Sequence, residues 1–281
     1  MNANDSHLRP GQKVLIFDSG MGGLSVRRAL ERLAPDLVID YGADTRFFPY
    51  GDKPDEALAA RVPAAAKAMV EVSKPDALVI ACNTASTLAL DATRAVLDIP
   101  VIGTVPAIKP AAAMSQKKTI GLLATPGTLA RPYTARLIAD FASTCRVIQH
   151  GSVELVHLAE HVAAGEAVPL DKIAAAQAPL FEADTSKSLD TVVLACTHFP
   201  LLRDQLVRTA PAGVTYIDSG DAIARQAIRV LESLPAGPDR DRDTRAWITT
   251  QSASPRLTAA LGRYGLNEVC TAAVAIGDAA P

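Results

Sequence analysis

Leu78-Val79-Ile80-Ala81-Cys82-Asn83-Thr84 and Val192-Val193-Leu194-Ala195-Cys196-Thr197-His198 share one pattern: an apolar run, then Ala-Cys, then a polar pair. A strand that is apolar at every position, not at every second one, has both faces buried. A parallel sheet covered by helices on each side provides that environment. Upstream of each run lies another apolar strand that ends in a polar turn. Val14-Leu15-Ile16-Phe17 leads into Asp18-Ser19-Gly20-Met21-Gly22-Gly23, and Thr119-Ile120-Gly121-Leu122-Leu123 into Ala124-Thr125-Pro126-Gly127-Thr128. The spacing from Asp18 to Cys82 is 64 residues and from Thr125 to Cys196 is 71. Unrelated buried strands can converge on such a pattern. Its recurrence with similar spacing points instead to two similar α/β halves, each presenting a cysteine where a strand gives way to a helix.

The rest of the chain fits this frame. Strands are expected over 37–41, 100–103, 146–148, 214–217 and 246–250. Helices are expected over 24–33, 55–72, 84–97, 130–142, 222–232 and 257–263. The Pro-, Gly- and charge-rich segment from Pro235 to Arg245 reads as a loop, and the final residues as a tail of small side chains. The expected architecture is two pseudo-symmetric three-layer domains with mainly parallel sheets and a cleft between them. One domain is expected over 12–105 plus 217–281 and the other over 106–216.

Composition narrows the function classes. With 49% hydrophobic and only 4% aromatic residues, Ala, Val, Leu and Ile carry the core. The near balance of charge, −2 net, gives no electrostatic reason for nucleic acid or an anionic membrane as partner. Apolar runs reach about seven residues, far short of the ~20 a spanning helix needs. The first thirteen residues are polar and lack a signal-peptide core, so a cytoplasmic protein with reduced cysteines is expected. None of the four cysteines forms a Cys-x-x-Cys pair, and no metal site is expected.

In open α/β sheets ligands bind beyond the carboxyl ends of the strands, so chemistry is sought in the polar tips. The glycines of the first turn match neither a P-loop nor Gly-x-Gly-x-x-Gly. Asp18 there is either a helix cap or a functional carboxylate. Backbone N–H groups and the helix dipole at a strand-to-helix junction favour thiolate, which would make Cys82 and Cys196 usable bases. Cys145 and Cys270 lack that context and read as structural. His198, two residues beyond Cys196, would share a side with it in an extended segment, or is an ordinary loop histidine. Two thiols from two similar halves suit stereoinversion, which needs a base on one face of a carbon and an acid on the other. A nucleophilic hydrolase built on Cys196, His198 and Asp18 competes, but leaves Cys82 without a role.

Taken together, four segments resemble the glutamate racemase family over nearly the whole chain. They are Phe17 to Val26, Ala43-Asp44 with Pro49-Tyr50-Gly51-Asp52-Lys53, Ala81 to Ser86, and Cys196-Thr197-His198-Phe199-Pro200-Leu201-Leu202. The resemblance implies cofactor-independent racemisation of glutamate, with Cys82 and Cys196 as paired bases assisted by Asp18 and His198. It implies substrate contacts from Asp18, Ser19, Tyr50, Gly51, Asn83, Thr84, Thr125, Thr128, Thr197 and His198. It also implies a second-half carboxylate at Glu160, with Glu154 as the alternative. A homodimer supplying D-glutamate for peptidoglycan is implied likewise. The competing readings are an aspartate or hydantoin racemase of the same superfamily and a non-enzymatic α/β binding protein.

Overall fold

A computed structural model describes residues 8–235 and 243–274. Most of the expected loop from Pro235 to Arg245, the first seven residues and the end of the tail lie outside the described residues.

The first apolar run forms β1 (Lys13–Asp18), at the middle of a six-stranded sheet. β2 (Val38–Ala43) and β3 (Ala77–Ile80) flank it, β4 (Val101–Gly103) lies beyond β3, and β9 (Arg245–Ile248) and β10 (Glu268–Thr271) extend the other edge. The second sheet contains β5 (Thr119–Ala124), β6 (Arg146–Gly151), β7 (Thr191–Leu194) and β8 (Thr215–Ile217). Its order, β6-β5-β7-β8, repeats the β2-β1-β3-β4 order of the first. Every described strand pairing is parallel.

The repeat extends to single hydrogen bonds. Ala81 N–H donates to Phe17 C=O and Ala195 N–H to Leu123 C=O, each at 2.8 Å. These bonds set Cys82 level with the end of β1 and Cys196 level with the end of β5. The sequence pattern that led to two similar halves therefore corresponds to a register that places the two cysteines equivalently.

The continuous apolar runs divide between two cores. Val14 and Ile16 face one side of the first sheet, against α1 (Leu24–Leu33) and α10 (Gly220–Ser233). Leu15 and Phe17 face the other, against α2 (Asp55–Ser73) and α3 (Asn83–Ala95). The second sheet is covered on one face by α7 (Glu154–Ala163), α8 (Leu170–Glu182) and α9 (Arg203–Thr209). On the other lie α4 (Ile108–Met114) and α6 (Pro132–Phe141). No described helix is long and apolar enough to cross a membrane.

Local departures have local causes. The helix expected over 130–142 is α6, which starts at Pro132; a separate short helix, α5 (Pro126–Leu129), occupies the expected turn before it, with Arg131 extended between them at φ −75°, ψ 136°. Pro132 forces this: a residue before proline is sterically pushed out of the helical region. The late strand expected over 246–250 ends at Ile248, where Thr249 and Thr250 turn away to bond Asp44 and Thr45. Helices α4, α5, α7, α8 and α9 and the strand β10 had no sequence assignment as such.

Candidate active site

The carboxyl ends of β1, β3, β5 and β7 and the turns after them converge on one buried region. Asp18 ends β1 and is fully buried. Gly20 N–H donates to its Oδ1 at 2.9 Å, and Thr197 Oγ1, from the other half, donates to its Oδ2 at 2.9 Å. The cap reading of Asp18 does not hold: α1 starts at Leu24, and its N-cap is Gly23 with no side-chain cap bond. Burial raises the Asp18 carboxyl above the usual carboxylate range, against the opposing pull of His198 and these hydrogen bonds.

Cys82 is the N-cap of α3 and 7% exposed. The N–H groups of Ala85 and Thr84 favour its thiolate, as the strand-to-helix position suggested. They are outweighed. Burial and the negative charge of Asp18 push the Cys82 thiol well above its usual range, and the charge of Cys196 adds to that. The expectation of a readily ionised Cys82 is thus corrected: removal from water beats the helix terminus. Asp18 acts on Cys82 through charge, while its hydrogen bonds go to Gly20, Thr197 and Ser19.

Cys196 heads a relay. Its Sγ lies 3.9 Å from His198 Nδ1, and His198 Nε2 lies 2.8 Å from Glu160 Oε1, which also accepts from Met21 N–H at 2.7 Å. The sharing of a side does not come from extended backbone. Cys196-Thr197-His198 is a turn, with His198 in helical geometry at φ −72°, ψ −36°. Burial opposes the imidazolium, but the hydrogen bonds to Cys196 and Glu160 and the charge of Asp18 outweigh it and hold His198 well above the ordinary histidine range. Of the two carboxylates considered, Glu160 faces the site from α7, and Glu154 is exposed at the start of that helix.

The remaining residues line the same region. Ser19, Asn83, Thr84, Thr125, Thr128 and Thr197 are all buried. The hydroxyls of Thr84, Thr125 and Thr128 form a triangle with sides of 3.2, 3.3 and 3.0 Å, one corner from the first half and two from the second. Tyr50 is buried at 1% exposure, and its hydroxyl donates to Asp44 Oδ2 at 2.6 Å. Gly51 packs on Thr125 so closely that a Cβ there would lie 2.9 Å from the threonine side chain.

Four participants had no sequence assignment as site residues. Gly22 leaves room for His198: a Cβ on it would lie 2.4 Å from Nδ1. Tyr41 donates to Gly20 C=O at 2.6 Å and fixes the first turn. Ser25 donates to Thr197 C=O at 2.9 Å, joining the halves. Phe48 stands beside the His198 ring, 5.9 Å between centroids. Only Gly22 carried a signal, as a glycine in a turn that no phosphate motif explains. Among the described residues no group of three His, Cys, Asp or Glu could hold a metal.

A site with one cysteine from each of two similar halves can exchange protons with opposite faces of one carbon. The comparisons with known proteins bear on the family. The family model for Asp/Glu/Hydantoin racemase matches residues 23–227. A glutamate racemase from Klebsiella pneumoniae (strain 342) is 45% identical over 258 residues, 91% of this chain and 90% of that protein. The Escherichia coli glutamate racemase crystallised with L-glutamate and the activator UDP-MurNAc-Ala superposes with a TM-score of 0.89 at 42% identity, over 94% of this chain and 99% of that one. The Thermus thermophilus glutamate racemase crystallised with beta-chloro-D-alanine gives 0.71 at 29%, over 96% and 99%. Fold and site together define an amino-acid racemase. Within that class, the chain belongs to the Asp/Glu/Hydantoin racemase family. The hydrolase and binding-protein readings fall with that assignment.

Proposed function

We propose that this protein interconverts L- and D-glutamate by moving the α-proton between Cys82 and Cys196, without a cofactor. The observation that carries the reading is the equivalent placement of the two cysteines: same register, same exposure of 7%, opposite halves. One sulfur, as thiolate, takes the proton from one face of the α-carbon. The other, as thiol, returns a proton to the opposite face. His198, oriented by Glu160, supports Cys196, and Asp18 sets the charge around Cys82. Negative charge developing on the α-carboxylate needs fixed donors in a dry site. Asn83, Thr84, Ser19 and Thr197 are buried donors at strand ends. The Thr84–Thr125–Thr128 triangle and the Gly51 peptide suit the side-chain carboxylate, since hydroxyls turn readily to donate to an anion.

Relatives named glutamate racemases, one crystallised with L-glutamate, favour glutamate over aspartate or a hydantoin. Side-by-side turnover of the three decides that point. We divide the chain into two domains at 105/106, between the sheets, and just after β8; the expected second boundary of 216/217 shifts by one residue, because Ile217 still pairs with Val193 in the second sheet. We place it in the cytoplasm as a homodimer supplying D-glutamate for peptidoglycan.

Cys82→Ser and Cys196→Ser should each lower racemisation at least ~10³-fold, within the range a positioned acid or base contributes. The purified protein should show no pyridoxal absorbance. Racemisation at the parental rate in either variant would overturn the two-thiol reading.

A further inference from the structure

Arg131 is an anomaly. Its side chain is 6% exposed, and Nη1 pairs with Asp55, whose side chain is 60% exposed. Its Nε is buried with no partner. Arg131 follows the Thr125–Thr128 turn of the second half, and Asp55 opens α2 in the first half, three residues after the Tyr50–Asp52 turn. Those two turns touch: a Cβ on Gly127 would lie 3.2 Å from Gly51 C=O and 3.9 Å from Arg131 Nη2. The pair therefore spans the halves beside the residues assigned to the substrate's side chain.

Strand order places this contact away from the covalent connections. The chain crosses between the sheets after β4 and after β8, the edge strands beyond β3 and β7. There Ser219 Oγ donates to Val105 C=O at 2.6 Å and joins the two crossings. The clasping turns follow β2 and β5, on the other side of the cysteine strands. Crossings on one side and a non-covalent pair on the other make a hinge and a fastening. The unpartnered Nε favours release, because opening would return a buried donor to water.

We propose that Arg131 is a positioning residue: its ion pair with Asp55 clasps the two halves shut over the substrate's side chain and must part for substrate to enter. The clasp borrows from the proposed function only the location of the site.

The test is alkylation of the full-length protein by iodoacetamide, with each cysteine followed by peptide mass spectrometry, and steady-state kinetics with glutamate. Asp55→Asn and Arg131→Met should each speed alkylation of Cys82 and Cys196 about fivefold and raise KM by a similar factor, with kcat changing less. Cys145 and Cys270 should react at unchanged rates, which separates site opening from general loosening. The double variant should be no worse than either single one, and the exchanged pair Asp55→Arg with Arg131→Asp should restore protection. If Arg131→Met does not fold, Asp55→Asn at its exposed side chain carries the test. Parental alkylation rates and KM in Asp55→Asn would overturn the clasp, as would parallel acceleration at Cys145 and Cys270. The two proposals fail separately. Active Cys82→Ser with exposed sulfurs in the clasp variants would sink the two-thiol mechanism and leave the clasp. Inactive cysteine variants with parental alkylation in Asp55→Asn would do the reverse.

Discussion

His198 sits between a sulfur and a carboxylate, and the balance of forces on it is open to measurement. Its ionisation is held above the ordinary value by its partners, against burial. A group raised in the folded state adds stability that is fully present below its unfolded pKa, about 6.5 for histidine, and is lost as pH rises through the folded value. Glu160→Gln removes one raising partner. The stability gap between parent and variant should therefore be widest near pH 6 and narrow toward pH 9, as read by urea denaturation at about those two pH values. A gap independent of pH would mean that Glu160 does not hold the imidazolium. The motif Cys196-Thr197-His198 was legible as chemistry, because a histidine two residues from a cysteine can reach it. Glu160 gave no comparable signal from its own neighbours. Its role depends on α7 crossing to the first half, where Met21 N–H meets it. The ionisation of Cys82 was misread for a related reason: helix position is local, whereas burial and the approach of Asp18 are tertiary.

At the scale of elements, the turn from Asp18 to Gly23 does the most positioning. It carries Asp18 at its head, takes Tyr41 from β2 on Gly20, and leaves at Gly22 the space that His198 fills. Gly22→Ala would place a methyl group 2.4 Å from His198 Nδ1. Overpacking of that kind costs about 1–3 kcal/mol. The variant should show a lower thermal midpoint and a loss of racemisation larger than the stability change explains, because the ring that supports Cys196 is the group displaced. Parental activity would mean that His198 can shift without consequence. The glycines of this turn were visible as a need for small residues, but the group needing the space lies 176 residues later in the chain. The unassigned helices follow the same logic. In α8, Gln177 is fully buried, donating to Leu206 C=O and accepting from Tyr216. A polar residue facing inward hides the face of a helix from any apolar-periodicity reading.

For the whole molecule, ligand binding and closure of the halves should be one event. On the proposed site, substrate would bridge Asn83 and Thr84 of one half and Thr125, Thr128 and Thr197 of the other, and so stabilise both. At about 100 times its Kd, glutamate should raise unfolding free energy by about 2.7 kcal/mol. Hydrogen exchange should slow at the starts of both α3 and α5, measured in the doubly substituted Cys82→Ser, Cys196→Ser protein to avoid turnover. Slowing confined to one half would show that the ligand is not shared. The parallel, doubly covered sheets and the duplicated cysteine ends were determined by sequence alone, because burial on both faces requires continuous apolar runs and register repeats with them. What only the tertiary structure decided is how the halves meet: Thr197 on Asp18, Glu160 behind His198, the threonine triangle, and Arg131 on Asp55. Those contacts join residues far apart in the chain, and their free energies depend on water being excluded between two surfaces that no local pattern describes.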